Sequence, residues 1–327
     1  MTASLPYYSA AEIHRALDYV SLVEQLRNAF AQGAESPLRH SHAVGSADAG
    51  NVLLLMPAWR AGEAIGVKIV TVFPGNKQRG VATVGASYVV LDGATGHAVA
   101  TLDGEALTLR RTGAASALAS SYLSRPDSRV LLLVGTGQLA PYMAAAHCAM
   151  RPIERVLVWG RRPERAATLA LQLRSAGIPA ETADDIDRAA GEADIVTCAT
   201  TSTEPLLTAA AIRPGTHIDL VGGFTPQMRE ADDALMAQAT LFVDTFAGAL
   251  KEAGDLVQPM MRGLIGRDAV RADLAMLARG EHRGRVAPEE ITLFKSVGAA
   301  LEDLAAARLA IERAGAARRQ APPRKQE

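Results

Sequence analysis

Apolar and polar positions recur in two different rhythms along this chain. Between residues 8 and 33, Ala16, Val20, Val23, Leu26 and Phe30 recur at helical spacing, and Ser9 followed by Glu12 makes a capping signature, so short amphipathic helices are expected there. From Val52 to Thr101 the apolar runs VLLLM, AIGVKIVTVF, GASYVVLD and HAVATL are broken by Pro74-Gly75-Asn76 and Asp92-Gly93, which predicts an antiparallel meander. After Asp103 the small-residue stretch GEALTLRRTGAASALASSYL reads as one buried helix at the join between domains. Beyond it RVLLLV, RVLVW, DIVTCAT, HIDLVG and LFVDT alternate with helical segments, the signature of a parallel sheet built from βαβ units. The expected class is α/β, a Rossmann-type doubly wound parallel sheet plus an α+β domain.

Composition narrows the partners. The chain has 327 residues, 49% of them hydrophobic, with a net charge of -1, enough to bury a large core across two domains. Its 34 basic and 35 acidic residues are interleaved, which argues against a nucleic-acid or membrane-surface partner. Only the stretch from Arg313 to Glu327 lacks apolar periodicity, and it reads as a frayed terminus. Cys148 and Cys198 sit in apolar company and are expected as free thiols. With no leader-like or membrane-spanning run, a cytoplasmic location is expected. The seven histidines show no metal-binding spacing, so no metal is expected, and His147 and His217 read as packed residues.

The first chemical motif is Gly135, Gly137 and Ala140 in VLLLVGTGQLA, a G-x-G-x-x-A directly after an apolar strand and directly before a helical segment. The first glycine suits a tight turn, the second lets backbone approach a pyrophosphate, and the alanine lets helix and strand pack closely. The second strand, RVLVW, runs into Gly160, Arg161 and Arg162 instead of the carboxylate that would bond a free ribose hydroxyl. Two guanidinium groups suit a 2′-phosphate, so NADPH is expected in preference to NADH. The plain alternative is that both arginines merely solvate a loop.

A second cluster is cationic: Arg39, Lys68 and Arg111. Lys68 interrupts AIGVKIVTVF, and a buried ammonium needs an anionic partner, which a ligand carboxylate or an internal acid can supply. A lysine, unlike an arginine, can also donate a proton. Arg111 lies among small residues, and its plain alternative is a salt bridge to Asp103 or Glu105.

LLLMPAW, GVKIVTVFPGN, TLDGEALTLRRTGAAS, GTGQLA, GTHIDLVGG, EAGDL and LFKSVG, in this order, resemble the blocks of the ornithine cyclodeaminase and mu-crystallin family over nearly the whole chain. The resemblance implies a homodimer in which residues 1–112 with 305–327 form the dimerisation and substrate domain around a Rossmann domain of residues 113–304. It places Arg39, Lys68 and Arg111 at the substrate carboxylate, with Arg111 also on the cofactor side and Thr83 beside the nicotinamide. It further implies Gln138 and Leu139 at the pyrophosphate, Gly160, Arg161 and Arg162 at the adenosine phosphate, and Thr200, Val221 and Ser296 around the nicotinamide half. Glu252 and Asp255 fall in a family block, yet helix capping explains them equally well, and they are left out of the site.

Departures choose the reaction. Where the cyclodeaminases carry a glutamate and an aspartate, this chain has Leu54 and Phe224, and a phenyl ring cannot handle the charge and protons of an amine. VGGFTPQMRE is instead similar to members that reduce cyclic ketimines. The expected function is NADPH-dependent reduction of a small cyclic imino acid, Δ1-pyrroline-2-carboxylate to proline or Δ1-piperideine-2-carboxylate to pipecolate, with Lys68 as the catalytic residue. A cyclodeaminase, an amino-acid dehydrogenase and a crystallin-like NADPH-binding protein without turnover are the alternatives.

Overall fold

The computed structural model describes residues 5–46 and 50–320. In chain order the elements are β1 (Tyr7–Tyr8), α1 (Ala10–Ala16), α2 (Tyr19–Gln32), β2 (His40–Ala43), β3 (Val52–Arg60), β4 (Ala64–Val72), β5 (Val84–Asp92), β6 (Ala98–Asp103) and α3 (Gly104–Leu123). There follow β7 (Val130–Val134), α4 (Ala140–Met150), β8 (Arg155–Trp159), α5 (Pro163–Ser175), β9 (Ala180–Thr182), α6 (Ile186–Glu192), β10 (Ile195–Cys198) and β11 (His217–Leu220). The chain closes with α7 (Asp233–Gln238), β12 (Thr240–Val243), α8 (Phe246–Glu252), α9 (Gly254–Met261), β13 (Val270–Asp273), α10 (Leu274–Ala278), β14 (Thr292–Lys295) and α11 (Ala300–Gln320). They form two compact units, residues 1–111 with 299–327 and residues 112–298.

The first unit is a six-stranded sheet in the order β1-β6-β5-β4-β3-β2, antiparallel except where β1 joins β6. Strand alternation gives it two faces. Met56, Ala58 and Ala64 face α11 and pack with Ala300 and Leu304. Ser9 and Glu12 form the capping box that the spacing predicts, the Ser9 amide donating to Glu12 Oε2 at 3.0 Å.

The C-terminal segment corrects two expectations. The helix runs on to Gln320 instead of fraying from Arg313, because Arg313 pairs with Asp18 and Arg318 Nε donates to Glu12 Oε1 at 2.7 Å. Residues 321–327 of the expected frayed tail lie outside the described residues. The unit boundary falls at 298/299, six residues before the expected 304/305. The helix begins at Ala300 and its first turn carries Glu302 and Asp303, whose partners, Lys68 and Arg111, belong to the first unit.

The second unit is an eight-stranded parallel sheet in the order β13-β12-β14-β11-β10-β7-β8-β9. Strands are hydrophobic on both faces because helices cover both: Leu132 and Val134 belong to one core cluster, Leu131 and Leu133 to the other. From β7 the chain winds outward through β8 and β9, then returns to β10 on the other side. That reversal opens a crevice beyond the carboxyl ends of β7 and β10, where open α/β sheets bind ligands. No helix among the described residues is long and apolar enough to cross a membrane.

Candidate functional site

Candidate residues lie in both units. In the second, Gly135 follows β7 with φ +114°, a conformation that L side chains rarely adopt, and a Cβ there would meet the Ala199 carbonyl oxygen at 2.7 Å. A Cβ on Gly137 would meet nothing within 4 Å, so the turn is open where backbone must approach a phosphate. Helix α4 follows with Leu139 at its N-cap and Pro141 in its first turn, where the amides of Ala140, Tyr142 and Met143 donate to the carbonyls of Gly137 and Leu139.

The crevice has a volume of about 510 Å³ and is lined by Gly135 to Gly137, Trp159 to Arg162, Arg165 and Ala199 to Ser202. It therefore brings together Gly135, Gly137, Gly160, Arg161, Arg162 and Thr200. Gln138 and Leu139 continue the turn, while Val221 and Ser296 directly follow β11 and β14 in the same sheet. Arg165, one turn into α5, is a third rim cation that the sequence reading missed. Arg161, Arg162 and Arg165 are exposed. The open backbone of the glycine turn and the crevice beyond the strand ends fit a dinucleotide.

Behind this crevice lies a buried ionic cluster, also absent from the sequence reading. Lys295 Nζ sits 3.0 Å from Asp255 Oδ2 and 3.9 Å from Glu230 Oε2, and all three side chains are fully buried. Asp255 begins α9, yet it caps other backbone: its Oδ1 accepts from the amides of Glu230 and Ala231 at 2.7 and 3.0 Å. The cluster explains the paired glycines of VGGF. A Cβ on Gly222 would meet the Thr200 carbonyl oxygen at 2.0 Å and Glu230 Oε1 at 2.4 Å, and one on Gly223 would meet Asp255 Oδ2 at 2.6 Å. Lys295 interrupts ITLFKSV just as Lys68 interrupts its own strand, so the same signal marks both.

In the first unit Lys68 and Arg111 are 2% and 6% exposed. Lys68 Nζ donates to Asp303 Oδ1 at 2.9 Å and lies 3.3 Å from Thr108 Oγ1, while Arg111 reaches Asp303 Oδ1 at 3.0 Å and Glu302 Oε2 at 2.6 Å. Asp303 thus bridges the two cations. Of the two kinds of partner the sequence left open, an internal acid is the one seen: two carboxylates of α11 balance two cations. Burying two adjacent cations without counter-charge costs several kcal/mol per ion, which is why the fold supplies acids. The expected alternative partners of Arg111, Asp103 and Glu105, are not the ones used.

Burial, and then the neighbouring Arg111, push the Lys68 ammonium down to about 8; Asp303 opposes this and Arg39 adds to it. Arg39 thus acts on the cluster electrostatically, from a half-buried position just before β2. Thr83 stands apart from it. Lys68 pairs with Tyr88 across β4 and β5, so about 16 Å of strand separates Lys68 from the level of Thr83.

A larger hollow of about 690 Å³ in the first unit contains neither Lys68 nor Arg111; of its charged lining, Arg60 and Arg308 both pair with Glu63, and Asp92 and Glu312 complete it. Leu54 lies in β3 opposite Val70, and Phe224, 43% exposed, follows the glycine pair. His147 and His217 are packed as expected, His147 Nε2 lying 3.2 Å from Asp219 Oδ2 and His217 Nδ1 3.0 Å from Thr292 Oγ1.

The model of the ornithine cyclodeaminase/mu-crystallin family matches residues 7–318. A Δ1-pyrroline-2-carboxylate reductase of Paracoccus denitrificans is 43% identical over 282 residues, 83% of this chain and 89% of the relative. The solved structure of Thermococcus litoralis Δ1-pyrroline-2-carboxylate reductase in complex with NADH and L-proline is similar with a TM-score of 0.90 and 34% identity, covering 96% of this chain and 98% of that one. An archaeal alanine dehydrogenase dimer with bound NAD reaches a TM-score of 0.88 at 27% identity, covering 96% and 97%.

Proposed function

The chain belongs to the ornithine cyclodeaminase/mu-crystallin family, and from that premise we propose that it is an NADPH-dependent reductase of small cyclic imino acids. Its substrates are Δ1-pyrroline-2-carboxylate and the six-membered Δ1-piperideine-2-carboxylate, its products proline and pipecolate. The observation that carries this reading is the buried Lys68–Arg111 pair bridged by Asp303. Asp303 holds the two cations side by side, with Glu302 also on Arg111, and the substrate carboxylate is proposed to engage this pre-oriented pair. The Paracoccus and Thermococcus reductases named above support the substrate class.

The units divide the labour. The second holds the dinucleotide through Gly135, Gly137, Gln138, Leu139 and Gly160, with Thr200, Val221 and Ser296 serving the nicotinamide half, as Thr83 also does. Arg161, Arg162 and Arg165 favour a 2′-phosphate, hence NADPH over NADH. When bound, the cofactor supplies a hydride to the imine carbon. Arg111 and Arg39 orient the substrate carboxylate. Lys68, with its pKa lowered to about 8, is protonated at neutral pH yet acidic enough to pass a proton to the ring nitrogen. Phe224 presents an apolar surface to a ring without a distal charge.

The acting form is a homodimer. Its support is the sheet face opposite α11, where Leu55, Val67, Ile69, Val89 and Leu91 make an apolar surface, together with the archaeal dimer named above. We place the enzyme in the cytoplasm, where Cys148 and Cys198, both free, stay reduced.

Assays of NADPH consumption with the five- and six-membered imines, with pyruvate plus ammonia, and of ammonia release from ornithine test the reading. Consumption with a cyclic imine alone is expected; ammonia from ornithine overturns it in favour of a cyclodeaminase.

A further inference from the structure

Glu230 is not in the wall of the dinucleotide crevice and touches no position expected to meet substrate, yet its carboxylate is buried and accepts from three donors. Oε1 accepts from both the amide and the hydroxyl of Thr200 at 2.8 Å, and Oε2 accepts from the Gly222 amide at 2.9 Å. Thr200 is itself in the wall of the dinucleotide crevice. We propose that Glu230 is a positioning residue of the cofactor site, locking the turns after β10 and β11 together so that the nicotinamide edge of the sheet is formed before the dinucleotide arrives. The proposal rests on the reading that this unit holds a nicotinamide dinucleotide.

The chemistry requires a carboxylate. Three N–H or O–H donors converge on two oxygens, and a carboxylate is acceptor-only, whereas an amide in its place would turn an N–H₂ group toward one of those donors. Burial raises the Glu230 pKa, with Asp255 adding to the rise and Lys295 and the Thr200 bonds opposing it. Asp255 holds the backbone amide of Glu230 itself, and Lys295 is followed directly by Ser296, whose amide donates to the Leu220 carbonyl at 3.1 Å. One buried cluster therefore ties down Thr200, Gly222 and the segment leading to Ser296, three places on the rim expected to receive the nicotinamide.

The test measures NADPH dissociation constants and steady-state kinetics for the full-length protein, Glu230→Gln and Thr200→Val. For Glu230→Gln, which keeps the shape, the NADPH dissociation constant is expected to rise on the order of tenfold or more, the loss of a charge-assisted bond. The imine KM at saturating NADPH should move by less than about threefold, because the cation cluster of the other unit is untouched. Thr200→Val, losing one hydroxyl, is expected to weaken NADPH binding by roughly severalfold. A merely structural Glu230 would lower the melting temperature while folded protein bound NADPH normally. NADPH binding within about twofold of the parent in folded Glu230→Gln overturns the proposal. If that variant does not fold, unchanged binding in Thr200→Val does so. If the parent protein binds neither NADPH nor NADH, the dinucleotide reading itself has failed; parent binding with indifferent variants sinks only the role of Glu230.

Discussion

Lys68 and Lys295 set the fold the same problem and receive opposite answers. Each is a lysine inside a strand, and each is almost wholly removed from water. Lys68 has a cationic neighbour, Arg111, and two acids supplied from far along the chain by α11, so charge is balanced while two cations lie side by side. Among the described residues Lys295 is paired with no neighbouring cation in its cluster; it faces two acids, Asp255 and Glu230, that also accept from backbone amides and from the Thr200 hydroxyl. Clustered cations suit gripping an anion, whereas a cation enclosed by backbone-bound carboxylates suits holding turns in place. Burial alone does not distinguish a working lysine from a bracing one; the partners do.

The strongest way to break this comparison is to remove each lysine. Lys68→Met is expected to lower imine turnover by about 10²–10⁴, the contribution of a positioned proton donor, with a modest effect on unfolding because Asp303 keeps Arg111. Lys295→Met is expected to cost about 3–5 kcal/mol in denaturant unfolding, since it strands two buried carboxylates. Equal stability losses in the two variants would contradict the distinction.

Two finer measurements sharpen it. Replacing Arg161 and Arg162 together by Ser should raise the KM for NADPH by about 10–100-fold, as expected for lost charged hydrogen bonds, and leave that for NADH nearly unchanged; a parallel rise in both would deny the arginines their 2′-phosphate. The smallest effect is one of pH. Lys68 titrates at about 8 in the folded chain against 10.5 for its ordinary value. Its proton is therefore lost from the folded state first, and turnover should fall about tenfold per pH unit above 8. Over the same window the unfolded chain binds the extra proton, so stability relative to Lys68→Met should rise from pH 8 to 10.5. A flat difference in stability between those limits would refute the lowered pKa.

Much of this was legible from local pattern. Period-two runs gave the meander, the glycine turn after VLLLV gave the nucleotide crevice, and Lys68 stood out because an ammonium does not belong in an apolar strand. What escaped was non-local. Glu302 and Asp303 lie more than 190 positions from Arg111, and no local spacing links them to it. Glu230 follows an arginine in a polar loop and carries no periodicity that marks burial. Asp255 looked like a capping residue and is one, but for the backbone of Glu230 and Ala231 instead of its own helix. Arg165 sits one turn past its partners, a separation that only helix geometry converts into a shared rim.

The account stands most directly on where the hydride goes. With NADPH dideuterated at the nicotinamide C4 and Δ1-pyrroline-2-carboxylate as substrate, mass spectrometry of the product should find proline carrying deuterium at C2. Unlabelled proline, or no imine-dependent product at all, would contradict it.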